Sequence, residues 1–422
     1  MRILTITNLY PPDVIGGYEI GCRQMVEALR RRGHTVEVVT STPRWPVPAM
    51  AGVERSLRAT EWYTRGERGQ VDAGVARVMD VQARGVMAGN VQVITEAIAR
   101  VCPDVVYLWN VMHIGALGVT AALAHLQVPV LWHLMDDVPR AMVTQAEKPP
   151  ATAVAQLLSH RMRASYVACS TRLVDEIAAA GYDFDGRLSI LPNWVEQPRE
   201  RARAWYPDAA PGLRVIAAGQ LNPNKGIDLI LQAVKMLLDS GRSGFTIDLI
   251  GDDLNDRYHR LILEDGLTQH VRLRGMLEHA SLVEEFWNYD MFLFPTWRRE
   301  PFGFAPLEAA ARGCVPVISN DCGLAEWLVD SVHAIKIERS APAVAAALGA
   351  ALDGRCDLPG IGRRAQRMAR TDLSVDRIAP EVERLMGVAQ DLPARRPGSA
   401  DQAYVLARLA ERLALTWAER PT

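Results

Sequence analysis

Short apolar runs and amphipathic stretches alternate from the first residues onward. Ile3 to Ile6 reads as a short β-rich strand, Pro11 to Gly17 as a turn, Tyr18 to about Arg32 as a helix, and Thr35 to Val39 as a second strand. The unit recurs with a strand at Val105 to Leu108, a helix at about Ile114 to Leu126, a strand at Val128 to His133, and Tyr166 to Ser170 leading into a helix at Thr171 to Ala180. A second series follows: strands at Val215 to Ala218, Thr246 to Ile250, Val271 to Leu273, Met291 to Phe294 and Val315 to Ser319, with helices beginning at Ile227, Ala280 and Pro306. Strands alternating with helices predict parallel sheets, so the expected fold class is α/β, with two Rossmann-like doubly wound domains facing across a cleft. Sheets of this kind take ligands beyond the carboxyl ends of their strands.

Between the two series the chain turns charged and proline-bearing, from Gln197 to Gly212, as an interdomain segment does. The expected division is 1–196 and 197–375, with C-terminal helices over 376–422 packing back toward the first domain. Two regions lack the strand–helix rhythm. Pro43 to Gly74 carries Trp45, Trp62 and Tyr63 among arginines, and a long aperiodic loop is commonly functional. Near the end, Leu406, Leu409, Leu413 and Trp417 share one helical face, which reads first as core packing and leaves room for a peripheral membrane contact.

Composition narrows the functional classes. A chain of 422 residues suits two domains of roughly 180 to 200 residues each. A net charge of −2 with 23% charged residues gives no basic excess to hold a nucleic-acid backbone. The six cysteines fall in no metal or redox spacing and read as buried thiols. The opening MRILTITNLYPP reads as a strand rather than a signal peptide, and no stretch reaches about 18 uninterrupted apolar residues, so a cytoplasmic protein is expected. Of 47 basic residues only Lys148, Lys225, Lys235 and Lys336 are lysines. A lysine at a glycine-flanked loop, as at Lys225, therefore suggests a need for a compact ammonium.

The densest chemistry is Glu300-Pro-Phe-Gly-Phe-Ala-Pro-Leu-Glu308, two carboxylates around a glycine after an apolar strand. Pro306 suits a first helical turn, which would put Glu308 in that turn and leave the amides from Gly303 onward free for phosphate or sugar hydroxyls. A carboxylate there can accept from a ribose diol, and Glu300 from a second polyol. Alone, such a pair reads equally well as helix capping.

In this setting the chain resembles the GT-B-fold retaining glycosyltransferases of family 4, whose signature is Glu-x7-Glu. The likeness runs from about Met1 to Gln390. It includes Asn8 to Glu19 as first strand and glycine loop, Leu191-Pro-Asn-Trp194-Val195 with Trp194 where the family usually has glycine, and Gly219 to Gly226 as phosphate loop. It continues through Ile250-Gly251 and Arg274-Gly-Met-Leu277, and ends with Gly313 to Pro316 after the glutamate pair.

The resemblance implies an acceptor-binding first domain and a second domain that binds the nucleotide sugar. It implies α-linked transfer from a UDP- or GDP-sugar to a small molecule, glycan or lipid-linked sugar, with no metal and no cofactor beyond the co-substrate. The donor would be held by Gly16, Gly17, Gln220, Lys225, Gly251, Met276, Leu277, Gly303, Phe304, Ala305 and Glu308. Glu300, His133 and Asp136 would sit at the reacting sugar. Gln220 stands where the family usually has arginine, so Arg298 or Arg299 is a candidate substitute cation. A nucleotide-sugar epimerase and a non-catalytic nucleotide-binding subunit are the competing readings.

Overall fold

The computed structural model describes residues 1–43, 45–60, 85–144, 158–201, 203–208, 211–253 and 256–394. Trp62, Tyr63 and the apolar stripe from Leu406 to Trp417 lie outside them. The chain divides into two compact units, one made of Met1–Cys169, Leu173–Leu191 and the chain from Ala379, the other of Ser170–Arg172 and Pro192–Ile378.

The first unit holds a seven-stranded sheet: β1 (Arg2–Ile6), β2 (Thr35–Ser41), β3 (Val53–Leu57), β4 (Val105–Leu108), β5 (Val130–Leu134), β6 (Ala164–Ala168) and β7 (Leu188–Ile190). Every pairing is parallel, in the order β3-β2-β1-β4-β5-β6-β7. Residues of β4, β5 and β6 are buried throughout, the mark of strands covered on both faces. Helix Gly17–Arg31 buries Ile20, Met25, Val26 and Leu29. The helix Val375–Asp391 contributes to this unit from Ala379 on. There Glu383 pairs with Arg32 and His34, and the Arg163 guanidinium donates to the carbonyls of Gln390 and Leu392.

The second unit repeats the plan with β8 (Leu213–Ala218), β9 (Phe245–Ile250), β10 (Val271–Gly275), β11 (Met291–Phe294), β12 (Val315–Ser319) and β13 (Ile335–Ile337). All are parallel, ordered β10-β9-β8-β11-β12-β13. Its core packs Val215, Ile247, Leu249 and Val317 against Ile230 and Val234 of helix Ile227–Asp239 and Val344 and Leu348 of helix Ala341–Leu352. Part of the charged 197–212 stretch is bound firmly here: the Arg203 guanidinium donates to the carbonyls of Phe286, Trp287, Tyr289 and Arg312. Among the described residues no helix is long and apolar enough to cross a membrane.

Each strand order reverses once, between β1 and β4 and between β8 and β11. At such a reversal the chain leaves neighbouring strands in opposite directions, and a crevice opens beyond their carboxyl ends.

Candidate active site

In the second unit the loops that follow β8 and β11 meet at this reversal. The main-chain N–H of Trp297 donates to the Asn224 carbonyl at 2.8 Å, which stitches one loop to the other. Asn222 accepts the Lys225 N–H at 3.0 Å and shapes the tight turn Pro223–Lys225. Close approach explains the glycines: a Cβ on Gly226 would fall 2.1 Å from the Pro295 carbonyl oxygen, and one on Gly251 1.8 Å from that of Gly219.

This stitching brings Lys225 to Glu300. Their ammonium and carboxylate are bonded, with the Lys225 Nζ also 5.3 Å from the Phe294 ring centroid. The Thr296 hydroxyl is shared between Glu300 Oε2 at 3.2 Å and the Asn224 carbonyl at 3.3 Å. Glu300 is buried, and these partners satisfy its carboxylate.

The helix after Glu300 begins earlier than Pro306 suggests. Gly303 takes φ +111°, and the helix spans Phe304–Ala311, so Pro306 is its third residue and Glu308 its fifth, past the first turn. The expectation for Glu308 is corrected by two residues, because a glycine turn at 303 lets the chain enter the helix at once. The amides of Gly303, Phe304 and Ala305 then have no partner four residues back, and Pro306 has no N–H to lose. Trp194, in place of the family's usual glycine, is fully buried and packs edge-on against Phe304, with centroids 6.5 Å apart.

Glu308 is met by a residue the sequence reading passed over. His279 Nε2 lies 2.6 Å from Glu308 Oε1. Its available signal was proximity to Met276 and Leu277, and a histidine opening a short helix reads equally well as solvated. Met276 is exposed and Leu277 half-buried at the end of β10. Gln220 is exposed and accepts from Asn222 Nδ2 at 3.4 Å, Arg298 is exposed, and Arg299 stacks over Trp297 at 5.1 Å.

The first unit's crevice has a different character. Gly16 and Gly17 open helix Gly17–Arg31, where the Glu19 carboxylate accepts the N–H groups of Ile15 and Gly16 at 3.1 and 2.9 Å. Burial pushes that carboxyl up from its ordinary value, and those two N–H bonds oppose the rise. Beside this helix start, Tyr18 donates to the His133 carbonyl at 3.1 Å.

His133 is corrected from a sugar-contacting residue to a core one. It is fully buried, its Nδ1 is 2.7 Å from the Tyr107 hydroxyl, and its ring stacks on Trp109 at 4.8 Å. Burial lowers its pKa to about 3, so the ring is neutral. The reason lies in β5, whose two faces are both covered, so strand alternation aims no side chain outward. Met135 is buried too, and the chain surfaces at Asp136, which is exposed and accepts the Asp137 N–H at 2.8 Å.

Residues 16–194 match the model of the glycosyl transferase 4-like domain, and residues 203–368 that of glycosyl transferases group 1. The chain belongs to the GT-B glycosyltransferases of the family 4 type. This glycosyltransferase is 26% identical over 406 residues to glycogen synthase of Mycobacterium tuberculosis, covering 89% of this chain and 91% of the relative. Over 171 residues it is 30% identical to the GDP-mannose:cellobiosyl-diphosphopolyprenol alpha-mannosyltransferase of Komagataeibacter xylinus, covering 36% and 40%. Among solved structures, sucrose-phosphate synthase from Thermosynechococcus elongatus superposes with TM-score 0.70 at 15% identity, over 92% of this chain and 99% of that one. HepE of Anabaena with UDP-glucose gives 0.65 at 17% identity, over 92% and 100%. These likenesses establish the fold, and the chemistry rests on the site.

Proposed function

We propose that this glycosyltransferase moves a sugar from a UDP- or GDP-sugar to an acceptor hydroxyl with retention, giving an α-linkage, and that it does so without a divalent metal in the cytosol. The observation that carries the reading is the meeting of Lys225 and Glu300 at the reversal of the second sheet, next to a helix start with free amides and a buried Glu308. In this reading Glu308 accepts from the ribose diol, Met276 and Leu277 flank the base, and Gly251 lets the chain pass close by. Glu300 with the amides of Gly303, Phe304 and Ala305 holds the sugar, and Lys225 meets the diphosphate. The Anabaena HepE structure in complex with UDP-glucose and the GDP-mannose-dependent relative of Komagataeibacter xylinus support a nucleotide-sugar donor of this kind.

The transfer breaks the bond from the anomeric carbon to the phosphate oxygen and forms one to the acceptor oxygen on the same face. The acceptor's proton passes to the departing phosphate oxygen, so no protein base is needed opposite. Lys225 and the helix-start amides offset the charge that grows on the leaving group. Asp136 belongs to the acceptor side of the proposal, and Gly16 and Gly17 stay among its donor-binding residues; His133 has no part in it.

The test is a reaction with α-linked UDP- and GDP-sugars in excess EDTA, with the product's anomeric proton coupling read by NMR. The expected result is full activity and an α-linked product. Activity lost in EDTA and restored by magnesium or manganese would end the metal-independent reading, and a β-linked product the retaining one. A sugar altered with donor alone would point to an epimerase.

A further inference from the structure

We infer that His279 is a positioning residue for Glu308, holding one carboxylate oxygen so that the other is presented to the ribose of the donor nucleotide. The inference rests on the proposed role of Glu308. The bond is short, 2.6 Å from His279 Nε2 to Glu308 Oε1, and both ends are constrained: the Glu308 side chain is 8% exposed and that of His279 31%. An ionised carboxylate is an acceptor at both oxygens, so His279 must present an N–H at Nε2. That bond occupies Oε1 and fixes the plane of the carboxylate, as an outer partner fixes a ligating side chain.

The neighbouring cation does not do this work. Arg312, which caps the same helix at its carboxyl end, sends Nη1 to the main-chain carbonyl of Glu308 at 3.2 Å and Nη2 toward Glu284 at 3.7 Å. It braces the backbone under Glu308 and acts on the carboxylate through charge without a hydrogen bond to it, which His279 supplies. Without the imidazole, Glu308 would have to be ordered by the ribose itself, and that cost would fall on nucleotide affinity rather than on turnover.

The experiment measures Kd by calorimetry for UDP and GDP and for their 2′,3′-dideoxy counterparts, in wild type and in His279→Gln, His279→Asn and Glu308→Ala. The ratio of the dideoxy Kd to the parent Kd reads the ribose contact within each folded variant, so a general loss of stability does not mimic the effect. Wild type should show a large ratio, and Glu308→Ala should abolish it. His279→Asn, whose amide cannot reach Oε1, should lower the ratio by about tenfold. His279→Gln, whose amide stands near the position of Nε2, should restore most of it. At saturating donor, kcat should stay within about twofold of wild type while the donor KM rises in His279→Asn. A full ratio retained in His279→Asn would overturn the role of His279 and leave Glu308 in place. A wild-type ratio near one, or one unchanged in Glu308→Ala, would instead remove the ribose reading of Glu308, and the inference with it.

Discussion

The two sheets share one strand order yet place different chemistry at their reversals. Beyond β8 and β11 stand a lysine bonded to a buried glutamate, and a second buried glutamate bonded to a histidine. Beside the reversal of the first unit, around the carboxyl ends of β4 and its neighbour β5, Tyr107, Trp109 and His133 pack against one another, Tyr18 bonds the main chain, and the imidazole is neutral. A shared topology therefore fixes where a ligand can lie, while the loops decide whether the place is built for charge or for packing. The second unit's glycines serve that division. Close approaches at Gly226 and Gly251 are what allow a charged loop to be held rigidly enough to act.

If charge is the working element of the second unit, Lys225→Ala should give the largest effect, a fall in kcat of about 100- to 1,000-fold, since it removes the group proposed to meet the leaving diphosphate. Steady-state rates with the preferred donor check this, and a rate within a few-fold of wild type would erase the contrast between the units. Next in size, Glu308→Ala should weaken nucleotide binding by about 1.5 to 3 kcal/mol, the worth of a hydrogen bond to a charged group. Calorimetry would sink that assignment by finding unchanged affinity.

The first unit should answer to pH through stability. Unfolded, the His133 ring takes a proton near pH 6.5, whereas in the fold burial holds this off to about 3. Between those values the unfolded chain binds the extra proton. The stability tied to the neutral ring is therefore complete above about pH 6.5 and falls away as pH drops toward 3. Melting temperatures between pH 7.5 and 4.5 should show this acid limb in wild type and a shallower one in His133→Gln. An equal slope in both would mean the ring is not held neutral. The smallest effect should be that of Gln220→Arg. An exposed cation near the phosphate loop is worth at most about 1 kcal/mol, so donor KM should fall by up to about fivefold. No change in donor KM would place the side chain away from the diphosphate.

The central strands were legible because burial on both faces leaves an unbroken apolar run: β4, β11 and β12 occupy the expected residues. The edges were not. In β3, Val-Glu-Arg-Ser-Leu is mostly half-buried and has no apolar run, and β7 and β13 are three residues each, too short to carry a period. The start of helix Phe304–Ala311 was misplaced because Pro306 is compatible with several early positions, and the backbone sign at Gly303 that settles the matter is not written in residue type. His133 misled for a related reason: a polar residue near a strand end looks available, and what covers it comes from Tyr107 and Trp109, remote in sequence. His279 and Glu308 lie 29 residues apart and meet through the packing of two helices, a contact that motif spacing does not encode.

The bond between Lys225 and Glu300 gives the site its own internal counterion. A stray anion in the medium, such as inorganic phosphate or chloride, finds this ammonium already neutralised and must compete with a carboxylate tethered to the adjoining loop. A nucleotide sugar has a different bargain to offer, because its hydroxyls can take up the carboxylate while its diphosphate takes up the ammonium. Under the proposed function, the pair would favour ligands that carry both functions on one molecule and would make the site less responsive to ionic strength than a bare lysine.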